Sequence, residues 1–569
     1  MKISAVNFQT VAYAQIEPEN VILKIFRQLL KSISLLIILS GVFFLSTSYI
    51  GRKKATEFLN LDYYSGEIHS GLVGYFKVYQ PIAENKHKKL SLDQMVSEFY
   101  QATAFRPAWT INNSVTPGAV NIMYLFRKAE YYGLNSKQYH PDELGFLHNK
   151  IEQSVNKDEL IEYRQEFELL FTRSCLLFMI NLNAGIVNQD SISPSLRSLL
   201  YYLSDIAGTS DADEGILAIQ PKNASYRNLQ KALERFLSID RVEMESYNVP
   251  SPSVNPDISY KRTGQILSSL GYIDPGHEKA DTVFTNALMQ FQVHHGLIPD
   301  GELNRNTREA LSMSASERYS KIALNLDRMR KELPSEKNYV FVNIPAYKLR
   351  VIKNNGIKES FNVVVGKPVT PTPVLSSKIE YIVANPQWNV PRSITVNEIL
   401  PRVRKDSSYL IRNNFKIIDK KLNEVGIDEV NWQETDAESF DYYFVQNSGN
   451  SNALGTIKFS FKNPYHVYIH DTPSKRYFAH NIRAYSHGCI RLEDPKKLAD
   501  YLIENNLSGE DKPNINTILN KKEEKEIELS EPLDIYIRYL TVEADENLNI
   551  FFYKDIYGKD IQLSEYSLN

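Results

Sequence analysis

The sequence predicts a multidomain α+β protein, in which one N-terminal membrane helix precedes two helical domains and a β-rich C-terminal domain. Three observations support this prediction. An uncharged apolar run of eighteen residues lies at 33–50, helical spacing of apolar residues dominates 60–250, and alternating β-branched residues begin near 338. Because helices and strands have different periods, these stretches indicate separate domains. A chain of 569 residues is also long for a single core.

The apolar run at 33–50 is just long enough to cross a bilayer as a helix. Lys24, Arg27 and Lys31 precede it, which favours residues 1–32 as a cytoplasmic tail, although further basic residues at 52–54 weaken the asymmetry. A cleaved signal peptide is the alternative, but no clear small-x-small site follows the run. Either reading exports the chain to the cell envelope. The anchored reading adds one contact with the inner membrane and places the C-terminal domain in the periplasm.

Residues 60–250 predict a helical domain without a catalytic cluster. His140, His148 and the many tyrosines of this region are expected at the surface or in packing positions. Cys175 lies in an apolar run, so burial is expected, and with only two cysteines in the chain no disulfide framework is indicated. The net charge of −3 and the sequence pI near 6.5 give no sign of a nucleic-acid partner.

A small helical module is predicted at 258–313, after a proline-rich linker at 249–253. Apolar residues mark helices around 266–270 and 284–291, and Asp300-Gly301 supplies a turn before a third helix at 307–311. A purely structural spacer is the alternative to a binding module. A further amphipathic helix, ending before Pro334, joins the module to the C-terminal domain.

The C-terminal domain, 338–560, opens with strand-like runs at 339–344, 349–352, 361–365 and 379–383, which predict a sandwich or barrel. Runs at 534–539 and 550–553 are expected to pair as a hairpin, with a charged connection at 521–528 before them. Residues 397–450 are charged and irregular, so we expect an insertion that covers a site. Trp388 lies just before it and could wall a cleft or pack in a core.

The chemistry of this domain is concentrated at Ser486-His487-Gly488-Cys489, with His470 nineteen residues before the cysteine. Imidazole can take a thiol proton and hold the thiolate as an ion pair, which makes a nucleophile for acyl transfer. Alternation at 465–470 predicts a strand ending at His470. Asp494-Pro495 predicts a helix start soon afterwards, so Cys489 is expected in the connection entering that helix. Backbone N–H groups at Gly488 and Cys489 could then stabilise an oxyanion.

Other interpretations of these residues remain open at this point. Cys489 could be a buried small hydrophobe, although its neighbours are polar. His470, His487 and Cys489 could bind zinc, but no fourth ligand stands at a recognisable spacing. Either histidine could be merely structural.

The segment resembles the catalytic motif of the L,D-transpeptidases with YkuD-type domains, in their large multidomain periplasmic branch. Further similar stretches lie at 385–391 (Asn-Pro-Gln-Trp-Asn-Val-Pro), at 452–459 and at 555–558. Residues 60–250 resemble the helical scaffold domain of that branch, and 258–313 resembles a peptidoglycan-binding module. The resemblance implies roles for a set of residues: Cys489 as nucleophile, His470 as its base, Ser486, His487, Gly488 and Arg491 as supporting groups, and Trp388 and Tyr468 at the substrate.

The resemblance also implies the reaction. The donor would be a peptidoglycan tetrapeptide stem, cleaved before its terminal D-Ala to leave a thioester on Cys489. The side-chain amine of a second stem would resolve it, forming a 3-3 cross-link without metal or organic cofactor. Carbapenem-type inhibitors are expected to bind. Two alternatives remain: hydrolysis of the thioester, which would make an L,D-carboxypeptidase, and a non-catalytic wall-binding scaffold.

Overall fold

A computed structural model describes residues 65–76, 89–238, 248–277, 281–334, 336–432, 440–509 and 512–561. The predicted cytoplasmic tail at 1–32 and membrane helix at 33–50 lie outside these residues. Within them, one helix is long and apolar enough to cross a membrane, Lys157–Ala184, but 72% of its most apolar window is buried in the protein. It is therefore the core helix of the helical region.

The described chain divides into two compact units. The first comprises the chain up to Leu125 with His140–Leu177 and Asn188–Ile216, and the second comprises Phe126–Tyr139, Phe178–Val187 and everything from Leu217 onward. The helical region has one short hairpin, β1 (Thr110–Ile111) and β2 (Ser114–Val115). Its helices are α1 (Ser65–Phe76), α2 (Leu92–Ala102), α3 (Pro117–Arg127), α4 (Pro141–Gln153), α5 (Lys157–Ala184), α6 (Ser198–Ile206), α7 (Ala212–Ala218) and α8 (Ala224–Ser238), with 3₁₀ turns at Ala129–Tyr132, Ser136–Tyr139 and Pro194–Arg197.

A buried carboxylate on α5 organises the first unit. Glu168 is fully buried and accepts hydrogen bonds from the backbone N–H groups of Ala108, Trp109 and Thr110, at 2.9, 2.9 and 2.8 Å. The Tyr100 hydroxyl donates to it as well, at 2.9 Å. Burial raises the pKa of Glu168, and the donated hydrogen bonds work against that rise. Because these donors come from a loop, the single carboxylate fixes the loop against the core helix. Cys175, further along α5, is fully buried, as its apolar surroundings predict.

The predicted three-helix module is confirmed in the second unit, with helices α9 (Pro256–Ser269), α10 (Thr282–His294) and α11 (Arg305–Leu311). Each helix begins after a residue whose side chain accepts a backbone N–H of the first turn: Asn255, Asp281 and Asn304. Gly301 adopts φ +71° in the turn before α11, where a side chain would be strained. The module has its own apolar core around Phe284, Leu288 and Phe291.

The last helix of the helical region packs with the linker helix α12 (Ala315–Glu332) rather than standing apart. Tyr226, Leu229 and Leu233 of α8 share one apolar cluster with Ile322 and Leu326 of α12. The boundary at residue 250 predicted from the linker composition therefore does not separate the packing units, since α8 belongs to the second one.

The C-terminal domain is built on a closed ring of eight strands. The strands are β3 (Tyr339–Asn343), β4 (Lys348–Lys353), β5 (Gly356–Gly366), β6 (Leu375–Ala384), β11 (Ile457–Phe461), β12 (Ile469–His470), β13 (Ala484–Ser486), β14 (Ile490–Leu492) and β15 (Lys525–Arg538), with helices α16 (Pro495–Asn506) and α17 (Ile515–Asn520) and a 3₁₀ turn at Lys475–Ala479. Pairing runs β4–β5–β14–β12–β11–β6–β15–β3 and returns to β4, while β13 adds to the end of β5. Of the two predicted architectures, the structure is therefore a barrel and not a sandwich.

The insertion between β6 and β11 is a subdomain with its own sheet and core, which we call the cap. Its strands lie in the order β7 (Trp388–Asn389), β10 (Tyr443–Gln446), β8 (Phe415–Ile418) and β9 (Glu424–Val425). Its helices are α13 (Arg392–Ile394), a π-helical turn Thr395–Ile399, α14 (Leu400–Lys405), α15 (Ser408–Arg412) and a 3₁₀ turn Ile427–Glu429. The cap therefore begins near 388 rather than at 397, and it contains a sheet where the sequence predicted irregular structure. Strands of two to four residues are too short to show a period.

The C-terminal strands pair differently from the predicted hairpin. β15 is one of the barrel strands and pairs with β6 on one side and β3 on the other. It includes residues 525–528 of the predicted charged connection. The run at 550–553 contributes β17 (Ile550–Phe552), which pairs with β16 (Val542–Ala544) instead. The chain then reaches α12, where Asp560 accepts from Lys321 at 3.0 Å and from Arg328 at 2.8 Å.

Candidate active site

Cys489 occupies a turn between two barrel strands. It directly precedes β14, and β14 is paired with β12 on one side and β5 on the other. The predicted helix does begin after Asp494, whose side chain accepts the Lys497 N–H. Strand β14 intervenes, however, so the prediction that Cys489 lies in the connection entering this helix is wrong. The cysteine is held by the barrel itself.

Side chains on both sides hold the turn in place. Ser486 accepts the Gly488 N–H at 3.1 Å and donates its hydroxyl to the Cys489 carbonyl at 2.5 Å. Thr372 donates to the Gly488 carbonyl at 2.8 Å. Gly488 has φ +116°, a conformation that favours glycine. Because its N–H is already bonded to Ser486, Gly488 is not the oxyanion donor predicted from the sequence.

Strand pairing places His470 beside β14, the strand that directly follows the cysteine. β12 and β14 run parallel, with Ile469 opposite Ile490 and His470 opposite Arg491. The strand is shorter than the predicted 465–470, since His466 has φ +54° and turns the chain. His470 is 5% exposed, and its Nδ1 lies 2.5 Å from the Asp471 carbonyl oxygen. Because a carbonyl only accepts, Nδ1 carries the hydrogen in the neutral ring, and the ring is also hydrogen-bonded to the Leu454 backbone.

Burial sets the protonation of both groups. Burial, and then the charge of Arg491, lower the pKa of His470 to about 3. Burial also raises the pKa of the Cys489 thiol, although Tyr468, Arg491 and Lys458 oppose the rise. Burial thus favours a neutral thiol and a neutral imidazole, whereas the sequence suggested a thiolate–imidazolium ion pair. Such an imidazole can act as a general base during attack.

Asp471 anchors the chain on the far side of His470. Its carboxylate accepts from the Thr456 N–H at 2.9 Å and from Lys475 at 2.7 Å. Burial opposes its ionisation, but these donors hold the pKa of Asp471 below its usual value. Gly455 passes so close that a Cβ there would lie 2.4 Å from the Asp471 side chain. A side chain at 455 would thus displace the residue that follows His470.

Tyr468 and Trp388 meet above the cysteine. The Tyr468 hydroxyl is hydrogen-bonded to Cys489 and to the Trp388 side chain, and burial is the main cause of its raised pKa. Trp388 also packs, half-buried, against the apolar core of the cap. It therefore packs against the core of the cap, as one of the two alternatives predicted, and it also contacts Tyr468, which is bonded to Cys489.

The cap reaches the Cys489 turn through a residue that sequence reasoning missed. Glu398, in the π-helical turn, places Oε1 2.6 Å from Nε2 of His487. Arg491 lies over the Tyr477 ring, with its guanidinium carbon 6.0 Å from the ring centre, and it interacts electrostatically with both Glu398 and Cys489. Glu398 lies in an irregular stretch far from the motif, and nothing in its local pattern distinguishes it. Among the described residues, no group of three or more His, Cys, Asp or Glu side chains is arranged to hold a metal ion.

Three domain families match this chain. The model of the YkuD family, described as "L,D-transpeptidase catalytic domain", matches residues 337–507 and so includes the cap, the turn and every barrel strand except β15. A "Scaffold domain" matches residues 94–233. A "Putative peptidoglycan binding domain" matches 264–311, which covers most of the three-helix module.

Individual proteins are similar over part of the chain. A Haemophilus influenzae protein named "Putative L,D-transpeptidase" is 32% identical over 292 residues, which cover 50% of this chain and 58% of that protein. The chain thus matches less than two thirds of that relative. A solved L,D-transpeptidase (Yku) from Stackebrandtia nassauensis is 13% identical, with 49% of this chain and 90% of that chain covered and a TM-score of 0.20. One from Mycobacterium smegmatis is 13% identical, with 36% and 58% covered and a TM-score of 0.17.

Proposed function

Because the chain carries a YkuD-type L,D-transpeptidase catalytic domain with a scaffold domain and a peptidoglycan-binding domain, we propose that it cross-links peptidoglycan stem peptides in the cell envelope. The observation that carries the proposal is the pairing of β12 with β14, which places His470 opposite Arg491, two residues after Cys489. An anchor at 33–50 would hold the enzyme at the inner membrane with its barrel in the periplasm.

In the first half-reaction, Cys489 attacks the carbonyl between the third residue of a tetrapeptide stem and its terminal D-Ala. His470 Nε2 accepts the thiol proton as the sulfur–carbon bond forms. The same proton then passes to the departing amine, the peptide C–N bond breaks, and D-Ala leaves. A thioester remains on Cys489, with His470 again neutral. No metal or organic cofactor takes part.

The tetrahedral intermediate of this step carries a negative oxygen that needs hydrogen-bond donors. Two groups stand beside the sulfur for that role: the Cys489 backbone N–H and the Tyr468 hydroxyl, which already contacts Cys489. Trp388 fixes the direction of that hydroxyl through its own hydrogen bond to Tyr468. Tyr468 and Trp388 would thus position the donor stem against the nucleophile.

In the second half-reaction, the side-chain amine of a neighbouring stem attacks the thioester and forms the 3-3 cross-link. Water competes with the amine at this stage. Because the cap contacts the turn through Glu398 and the cysteine through Trp388 and Tyr468, it is placed to limit that competition. Hydrolysis would instead give an L,D-carboxypeptidase.

The products of tetrapeptide turnover distinguish these functions. Purified full-length protein incubated with diaminopimelate-containing disaccharide tetrapeptides should yield a cross-linked dimer that has lost one D-Ala, measured by mass spectrometry. Free tripeptide as the sole product would establish a carboxypeptidase. Unchanged substrate with no adduct on Cys489 would indicate a wall-binding scaffold.

Acylation should show an unusual pH profile. A thiol–imidazole pair reacts in the form that holds one proton in total, and the pKa of about 3 for His470 keeps that form dominant in mild acid. The rate of carbapenem acylation should therefore stay level from about pH 5 to about pH 8, because protonation of His470 would slow the reaction only at lower pH. Stopped-flow absorbance can measure it. A one-proton fall centred near the ordinary imidazole pKa, roughly 6.5, would contradict the buried, neutral His470.

A further inference from the structure

His487 carries its own carboxylate partner, separate from the pair formed by Cys489 and His470. Nε2 of His487 lies 2.6 Å from Glu398 Oε1, and the side chains of His487 and Glu398 are 33% and 36% exposed. His470 is almost completely buried by comparison. One histidine of the site is thus enclosed by the barrel, and the other faces the cap within reach of solvent.

The contact with Glu398 determines which nitrogen of His487 can act as a base. An ionised carboxylate only accepts hydrogen bonds, so Nε2 must carry the hydrogen. Nδ1 is then the nitrogen with a free lone pair when the ring is neutral. A carboxylate that orients an imidazole in one tautomer is the arrangement by which enzymes prepare a general base. The position of Glu398 in a π-helical turn, a feature frequent at functional sites, agrees with such a role.

The second half-reaction needs such a base. The acceptor is a primary amine that is protonated at neutral pH, and it must lose a proton before it can attack. Glu398 supplies a negative charge on the cap that attracts an ammonium group, close to the turn that holds the thioester. Arg491 acts electrostatically on both Glu398 and Cys489, and Lys458 acts on Cys489 as well. These positive charges favour loss of the amine's proton over its retention.

We propose that His487, positioned by Glu398, binds and deprotonates the acceptor amine, so that the cap selects cross-linking over hydrolysis. This assignment rests on the proposed transpeptidase function. The ammonium gives one proton to His487 Nδ1, the amine nitrogen bonds to the thioester carbon, and the carbon–sulfur bond breaks. The second proton of the amine goes to the departing sulfur through His470. An amide and a neutral Cys489 thiol remain, and His487 releases its proton to solvent.

The test is the ratio of cross-linked dimer to hydrolysed tripeptide, measured by mass spectrometry in full-length variants. Each preparation is normalised to the fraction that a carbapenem acylates. Glu398→Gln and His487→Gln should each lower this ratio at least tenfold near neutral pH, because the amine loses its base. Glu398→Asp should recover part of the loss. Glu424→Gln makes the same change on an exposed cap carboxylate that pairs with Lys416, and it should behave as wild type.

A pH series separates this role from a structural one. As the pH approaches the amine's own pKa, roughly 10.4, the acceptor no longer needs a base. The loss in the ratio of dimer to tripeptide caused by Glu398→Gln and His487→Gln should then become severalfold smaller. Three results would each overturn the assignment. The variants could keep the wild-type ratio of dimer to tripeptide at neutral pH, or their loss in this ratio could be the same at every pH. Alternatively, acylation could fall as much as cross-linking does. Failure of the wild-type protein to form any adduct would instead refute the proposed function.

Discussion

Cys489→Ala will leave the protein without any covalent adduct after incubation with a carbapenem or a tetrapeptide donor. No other described group can replace this thiol, since Cys175, the second cysteine of the chain, is fully buried in the helical region. Intact-protein mass spectrometry measures the adduct directly. Cys175→Ala is the matched control, and it should be acylated at the wild-type rate. An adduct on the Cys489→Ala protein would disprove the assignment of the nucleophile.

His470→Ala should slow acylation by roughly 10²- to 10⁴-fold, the usual contribution of a general base. The thiol would then lose its acceptor for the proton, and burial would keep it protonated. His487→Ala should have a smaller effect on this step, since its ring contacts Glu398 on the cap. A larger loss of acylation in His487→Ala than in His470→Ala would reverse the two roles.

The largest effect on stability is expected at Glu168. In Glu168→Gln, one carboxylate oxygen becomes an NH₂ group that faces donors and can no longer accept. Each of its two oxygens now accepts at least two hydrogen bonds, so about two buried donors lose their partner. At roughly 1–3 kcal/mol each, the free energy of unfolding of the first unit should fall by about 2–6 kcal/mol.

Denaturant unfolding followed by tryptophan fluorescence can measure this loss, because Trp109 is fully buried beside the carboxylate. Glu166→Gln provides the control. It makes the same chemical change on the same helix at an exposed position, and its effect should stay within about 0.5 kcal/mol. Equal stability of the two variants would show that the loop does not depend on the carboxylate.

Much of the fold could be predicted because its helices and longer strands show clear periods. The three-helix module and the first barrel strands were predicted close to their observed positions. The cap sheet and the pairing of β15 could not be predicted from the sequence, and the reason is physical. Strands as short as β7 and β9 carry no period, and β15 finds its neighbours β6 and β3 through contacts far away in sequence.

The site was predictable to the extent that its residues are close in sequence. The motif predicted roles for Cys489 and His470, and the structure places them on neighbouring strands: His470 ends β12 and Cys489 directly precedes β14. Protonation was not predictable, because the low pKa of His470 comes from burial and from the charge of Arg491. Glu398 could not be identified from the sequence for a related reason. Its role depends on a contact across the cap, and no local pattern encodes that contact.

The salt bridges of Asp560 bear on how the chain is made. Asp560 is 4% exposed and pairs with Lys321 and Arg328 of α12, more than two hundred residues earlier. Burying two cations without their carboxylate is unfavourable. During synthesis, the linker helix therefore cannot complete these ion pairs until residue 560 has emerged. A product truncated before residue 560 would leave Lys321 and Arg328 without their carboxylate, which should loosen the packing of this helix and expose it to proteases.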